Sequence, residues 1–211
     1  MISVITIERE FGCGSAAIAR KLAARLNWRL WDGDLTKEIA RLARVDPQVV
    51  RQRAERLDPL LDRLSKVFVR ASFERHVSLE GLETFDADRM VVLTQRVVEE
   101  VASAGNCVIV GRGSPYFLRE WPNVFRSFVY ASRPEKLRRL QSMGRTMAEA
   151  EDLLDTIDRE RITFAKKYFG KDWPCRRLYH LMVNSGVGDD VVIDLILHHI
   201  SALNHCGTSL T

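Results

Sequence analysis

The chain has 211 residues, with 32 Lys or Arg against 28 Asp or Glu, a formal net charge of +4 at pH 7. That length suits one domain, or one domain with an embedded subdomain, able to fold without disulfides or a structural metal. Basic and acidic residues are interspersed, with no long basic run and no alternation of aromatic and basic residues, which argues against a nucleic-acid-binding protein. No stretch of about 18 apolar residues is available to span a membrane.

In chain order, "ISVITI" (2–7) is a short β-branched run and reads as a buried strand. Gly12-Cys13-Gly14 follows as a tight turn. A helix is then expected from Ser15 to Leu26, where Ile18, Leu22 and Leu26 repeat at i, i+4, i+8 and form one apolar face. "WRLWD" (28–32) reads as a second strand. Residues 35–104 contain no convincing strand and read as an all-helical insertion. Its Asp46-Pro47 and Asp58-Pro59 pairs each place a capping acceptor before a proline suited to the first helical position. A further helix is expected from about Asp88 to Ala104.

"NCVIVG" (106–111) and "FRSFVYA" (125–131) read as the third and fourth strands. A helix opens at Ser132 with Pro134 in its first turn, and another at Thr146, where "TMAE" is a capping box. Residues 144–178 form a second helical segment, rich in Arg and Lys. "YHLMVNS" (179–185) is the fifth strand, and the last helix runs from about Asp189 to Leu203. Strands alternating with helices predict an α/β fold, a parallel sheet covered on both faces.

The four cysteines, Cys13, Cys107, Cys175 and Cys206, form no C-x-x-C and no zinc spacing with histidine. His198 and His199 are adjacent, whereas metal pairs on helices sit at i,i+4. Glu8 and Arg9 interrupt the apolar run near residue 1, which is unlike a secretory leader, so the expected setting is reduced and cytoplasmic.

The stretch from residue 5 to 26 is built like a phosphate-binding loop. Glycines let successive main-chain N–H groups converge on an anion, and the helix N-terminus behind them adds a favourable dipole. The backbone of Gly12, Cys13 and Gly14 is placed for this. The full pattern is G-x-x-x-x-G-K-[ST]. Anchored on Gly14, this chain has Arg9, Ser15 and Ala16 where that pattern has its first glycine, the lysine and the hydroxyl residue. Ser15 is therefore the candidate hydroxyl for a phosphate or magnesium, and Arg9 the candidate source of the missing charge.

"ITIEREFGCG", "WDGDL", "CVIVGRGSPYFL" and "VNSGVG", in that order, resemble the cytidylate kinase-like family, a branch of the nucleoside monophosphate kinases. The resemblance runs over roughly residues 2–200. Many members of the branch carry Arg-Glu/Gln-aromatic-Gly-Ser-Gly-Gly in the loop, so the lack of lysine is partly a trait of the branch. This chain departs further, with Ser15 and Ala16 after the second loop glycine.

The resemblance implies a P-loop NTPase-like three-layer fold with a parallel five-stranded sheet. Its core would be residues 1–34, 105–143 and 179–211, with a helical monophosphate-binding insertion at 35–104 and a helical lid at 144–178. It implies a single kinase-like domain that transfers the ATP γ-phosphoryl to a nucleoside monophosphate, CMP or dCMP, with Mg2+. Asp32 matches the acidic residue near the acceptor nucleoside, and Arg112 of "GRG" the arginine that contacts the acceptor phosphate. Arg159 and Arg161 match lid arginines, of which one is expected to face inward and Arg161 fits better. Asn184 and Ser185 lie where the family holds the donor base. Phe164 and Tyr168, at helical spacing, read as packing residues. The alternative expectation is a nucleotide-binding module without transfer, because the loop lysine is missing.

Overall fold

A computed structural model describes residues 1–42 and 87–206. Five strands form one sheet: β1 (Val4–Arg9), β2 (Arg29–Trp31), β3 (Cys107–Val110), β4 (Val124–Tyr130) and β5 (Leu181–Asn184). Their order is β2-β3-β1-β4-β5, and every pairing is parallel. The central strand β1 is buried along its whole length, which its β-branched run requires of a strand covered on both faces.

Alternate side chains of the sheet enter different layers. Ile5 and Ile7 of β1 pack with Val108 and Val110 of β3 against Ile18 and Leu22 of α1 (Ser15–Leu26). Val192, Ile193 and Ile196 of α7 (Asp189–Cys206) complete that layer. Val4, Cys107 and Ile109 point to the other face. There they meet Leu35 and Ile39 of α2 (Gly33–Leu42) and Val97, Val98 and Val101 of α3 (Ala87–Ala104). Each such buried aliphatic side chain contributes roughly 1.5–3 kcal/mol, so truncating Leu22 to Ala would cost about 2–5 kcal/mol.

The connections follow local rules. Gly14 opens α1 in the left-handed region, and Asn27 closes it there, donating its N–H to Ala23 and Ala24 carbonyls. Ser132 caps α5 (Arg133–Ser142), accepting the Glu135 N–H. Thr146 and Glu149 form both halves of a capping box at the start of α6 (Met147–Phe169).

The structure differs from the sequence expectations in details. The helix after β2 begins at Gly33, inside the stretch assigned to the core. The Asp46-Pro47 and Asp58-Pro59 starts lie outside the described residues. Residues 144–178 are largely one 23-residue helix, α6, with a single 3-10 turn at Arg176–Leu178. A four-residue helix, α4 (Ser114–Phe117), follows β3 and had no periodic signal because it is barely one turn long. No described helix is long and apolar enough to cross a membrane.

Candidate functional site

Several of the candidate site residues, Arg9 and Arg112 among them, stand at the C-terminal ends of β1 and β3. In an open parallel sheet ligands bind outside these strand ends, beside the central strands. The loop after β1 reaches α1 through Gly12, Cys13 and Gly14, and α5 lies across it. The Arg139 guanidinium of α5 donates to the Cys13 carbonyl, to Ser185 Oγ at 2.9 Å and to the Ser185 carbonyl at 3.2 Å. A Cβ at Gly14 would sit 3.0 Å from Arg139 Nη1, in a residue with φ +82°, so glycine serves both the turn and the approach of that cation. Ser185 Oγ is also within reach of the Cys13 carbonyl at 2.6 Å and the Tyr130 carbonyl at 3.2 Å, which ties the end of β5 to the loop.

The front of the loop is held by a second set of contacts. Lys136, one turn before Arg139 on the same face of α5, reaches Glu10 Oε2 at 2.8 Å. Asp158 of α6 accepts the Phe11 N–H at 2.9 Å through Oδ1, while its Oδ2 lies 3.8 Å from Lys136 Nζ. Burial pushes the Asp158 carboxyl up, against the pull of Arg161, the Phe11 N–H and Lys136.

Beside the loop, Gly111, Arg112 and Gly113 all adopt positive φ, at 65°, 60° and 70°. For arginine this conformation is strained, and such strain collects at ligand sites. A Cβ at Gly111 would fall on Arg9 Nη1, so only glycine leaves that guanidinium its place. The turn lines a cavity of about 50 Å³ with Glu8, Arg9, Arg161, Tyr116, Phe164, Phe169 and Trp173 around it. Arg9, 4% exposed, lies 4.0 Å from Asp32 through Nη2. Arg161 donates to the Arg9 carbonyl at 2.7 Å and to Asp158 at 3.0 Å. Burial, followed by the charge of Arg9, brings the Arg112 guanidinium down to about 10, with Asp32 pulling it back up. It stays charged at neutral pH. The three guanidiniums share the cavity with the Glu8 carboxylate, with Asp32 beside Arg9 and Asp158 on Arg161, so their mutual repulsion is partly offset.

Rings close the cavity. Tyr116 stacks on Phe169 with centroids 4.2 Å apart and planes within 1°, and Phe117 and Phe164 meet the same ring edge-on. Phe164 and Tyr168 do pack together, at 4.9 Å, but Phe164 also lines the cavity. The Tyr116 and Tyr179 phenols are both pushed well up, by burial first and then by Glu8.

The structure thus gathers Arg9, Arg112 and Arg161 at one cavity, with Asp32 beside Arg9, while Arg159 is exposed. Asn184 caps the turn after β5, its Oδ1 accepting the Gly186 N–H at 2.9 Å. Ser15, 1% exposed, is the first residue of α1. The guanidinium against Gly14 is that of Arg139, and the Arg9 guanidinium lies against Gly111. Lys136, Arg139 and Glu8 carry no site role in the sequence reading, and Asp158 stands there only among the charged residues of the helical segment 144–178. A signal existed for two of them: cations at i and i+3 on the helix after β4 share one face. Among the described residues no three His, Cys, Asp or Glu side chains cluster to hold a metal. Ser15, the hydroxyl expected to meet a phosphate or magnesium, is buried at the start of α1.

Comparison with known proteins gives a consistent family and fold. The model of the cytidylate kinase-like family matches residues 4–187. The cytidylate kinase of Yersinia pestis (strain Pestoides F) is 36% identical over 78 residues, 37% of this chain and 34% of that protein. That of Yersinia pseudotuberculosis serotype O:1b (strain IP 31758) matches to the same extent. The match spans about a third of the length of these relatives. An uncharacterized protein from Eubacterium ventriosum superposes with a TM-score of 0.67 at 20% identity, covering 95% of this chain and 99% of that one. Shikimate kinase from Acinetobacter baumannii, in complex with shikimate, superposes with a TM-score of 0.53 at 14% identity, covering 96% and 94%. At these identities the likeness is one of fold.

Proposed function

The chain belongs to the cytidylate kinase-like family, and on that premise we propose that it is a nucleotide kinase that transfers the γ-phosphoryl of ATP to CMP or dCMP. The observation that carries this reading is the convergence of Arg9, Arg112 and Arg161 on one cavity beside the glycine loop. An acceptor phosphate there would be held by Arg112, with Arg9 fixed behind it by Asp32 and the Gly111 turn. Arg161, from the helix that closes over the site, is placed to meet charge spreading on the group in transfer. Phosphoryl transfer asks for this kind of positioning and charge stabilisation more than for covalent chemistry. The loop N–H groups and the dipole of α1 would hold the donor phosphates. The rings of Tyr116, Phe164, Phe169 and Trp173 would keep water from the acceptor side. Magnesium, carried by the ATP phosphates, would neutralise part of their charge.

The direct test is ADP release, coupled to an indicator enzyme, with ATP, magnesium and each of CMP, dCMP, UMP, AMP and GMP. CMP or dCMP should stimulate release well above the background hydrolysis of ATP. If neither CMP nor dCMP does so, the cytidylate reading fails, and if none of the five does so, the kinase reading fails with it. A second reading, a nucleotide-binding module without transfer, draws on Ser15 in the lysine position and on Arg139 bridging Cys13 and Ser185. It predicts that nucleotides stabilise the fold, by about 2.7 kcal/mol at 100 times Kd, and so raise the thermal midpoint, with no ADP released.

A further inference from the structure

The loop has no lysine, yet an ammonium group stands beside it. Lys136 packs on Gly12, where an added Cβ would lie 3.3 Å from Lys136 Cβ. Its side chain is 12% exposed, and its Nζ has two carboxylates near it, Glu10 at 2.8 Å and Asp158 at 3.8 Å. The Asp158 carboxylate in turn takes the Phe11 N–H. One anionic group therefore bridges a main-chain N–H of the loop and a lysine ammonium. A phosphate oxygen in a loop of this type meets the same two kinds of donor.

The other cations near the loop are engaged differently. Arg139 spends its donors on the Cys13 carbonyl and on Ser185. The Arg9 guanidinium lies against Gly111 and faces Asp32. Arg139 also has Glu135 at 3.5 Å, and what sets Lys136 apart is that one of its two carboxylates, Asp158, itself holds a loop N–H, a position that a more highly charged anion can take over. Asp158 would not be stranded by the exchange, because Arg161 holds it at 3.0 Å.

We propose that Lys136 supplies, from α5, the charge that the loop lysine supplies elsewhere, and that the Asp158 carboxylate occupies the anion position until a polyphosphate takes it. This rests on the reading of the loop as a polyphosphate site and not on the identity of the acceptor. A lysine on a neighbouring helix acts as a point charge, so it needs only to lie within contact distance of the phosphates, with no fixed backbone geometry.

The test uses calorimetry with inorganic tripolyphosphate and with ATP on the full chain, its Lys136→Met, Lys136→Arg and Asp158→Asn variants, with circular dichroism to establish that each is folded. The unsubstituted protein should bind both probes. Lys136→Met should weaken both by about tenfold or more, and Lys136→Arg should restore most of the affinity. Asp158→Asn keeps an acceptor for Phe11 but removes the competing charge, and should tighten both. A folded Lys136→Met with unchanged affinity overturns the proposal, as does failure of the unsubstituted protein to bind either probe. Should Lys136→Met not fold, Asp158→Asn decides: unchanged or weaker binding refutes the exchange. ADP release separates this from the kinase reading. Transfer that survives Lys136→Met removes the lysine and leaves the kinase. Lys136-dependent polyphosphate binding without transfer to any monophosphate does the reverse.

Discussion

Arg161 Nη1 donates to the main-chain carbonyl of Arg9 at 2.7 Å, which joins the long helix α6 to the last residue of β1. The acceptor is backbone, so the contact does not depend on the Arg9 side chain. Asp158 holds the same guanidinium from within α6. Arg161 is therefore positioned before any ligand arrives, and its effect can be separated from that of Arg9.

Arg161→Met should lower kcat by roughly 100- to 1,000-fold if its charge meets the phosphoryl group in transfer. The acceptor KM should change much less. Steady-state kinetics with CMP varied at saturating ATP reads both numbers, and a change confined to KM would assign Arg161 to ground-state binding.

Arg112 sits at φ +60° between two glycines and near two other guanidiniums. Arg112→Gly relieves both the backbone strain and the repulsion. It should raise the thermal midpoint by a few degrees, for about 1 kcal/mol gained. The same change should raise the acceptor KM roughly 10- to 100-fold, the loss expected of a charged hydrogen-bond donor. A midpoint that falls would mean that the Arg112 side chain holds the turn together.

Arg9→Ala should act on the acceptor side, because its guanidinium lies with Gly111 and Asp32. The acceptor KM should rise while ATP affinity, measured by calorimetry, stays within about threefold. Loss of ATP affinity would return Arg9 to the role of a stand-in for the loop lysine.

Ser185→Ala removes the hydroxyl that sits between Arg139, Cys13 and Tyr130. Urea unfolding should show a loss of about 1–3 kcal/mol, the cost of leaving buried partners unpaired. Nucleotide affinity should fall with it, since the loop is then tied to β5 through Arg139 alone among these contacts. Wild-type stability would show that the hydroxyl contributes nothing net.

His180 gives the fold an acid sensitivity. Its Nδ1 accepts the Arg126 N–H at 3.0 Å, and burial, followed by the charge of Arg126, lowers the imidazole to about 4. The unfolded chain takes up the proton near pH 6.5, before the folded one does. Stability is thus full above that pH and is lost as pH falls towards about 4, by up to about 1.4 kcal/mol per pH unit. Urea midpoints between pH 7 and 4.5 should follow this slope, and His180→Gln should flatten it. An unaltered slope in that variant would place the sensitivity in other groups.

Much of this fold is decided locally and can therefore be read from the chain. The β-branched run at Val4–Ile7, the glycines of the turn, the apolar spacing of Ile18 and Leu22 and the capping box at Thr146 each act within a few residues. The resemblance of four ordered motifs added the family, whose model matches residues 4–187. Arg112 could be singled out because two flanking glycines mark a turn with room beside it.

What the sequence left open depends on distance in space between elements far apart in the chain. β1 pairs with β3 and β4, so the site is assembled from residues separated by 100 positions or more. No local pattern states that α5 lies across the loop with Lys136 at Gly12 and Arg139 at Gly14. Nor does any state that Asp158 accepts a loop N–H or that the Arg9 guanidinium turns towards Gly111. Side-chain charge is written in the chain, but its direction is set by packing, and packing is a property of the closed three-layer structure. The sequence alone determined the five strands and the longer described helices, and that the glycine turn after β1 carries no lysine. Only the tertiary structure decided which cations stand next to that loop, because a guanidinium or ammonium goes where burial leaves it an oxygen to face.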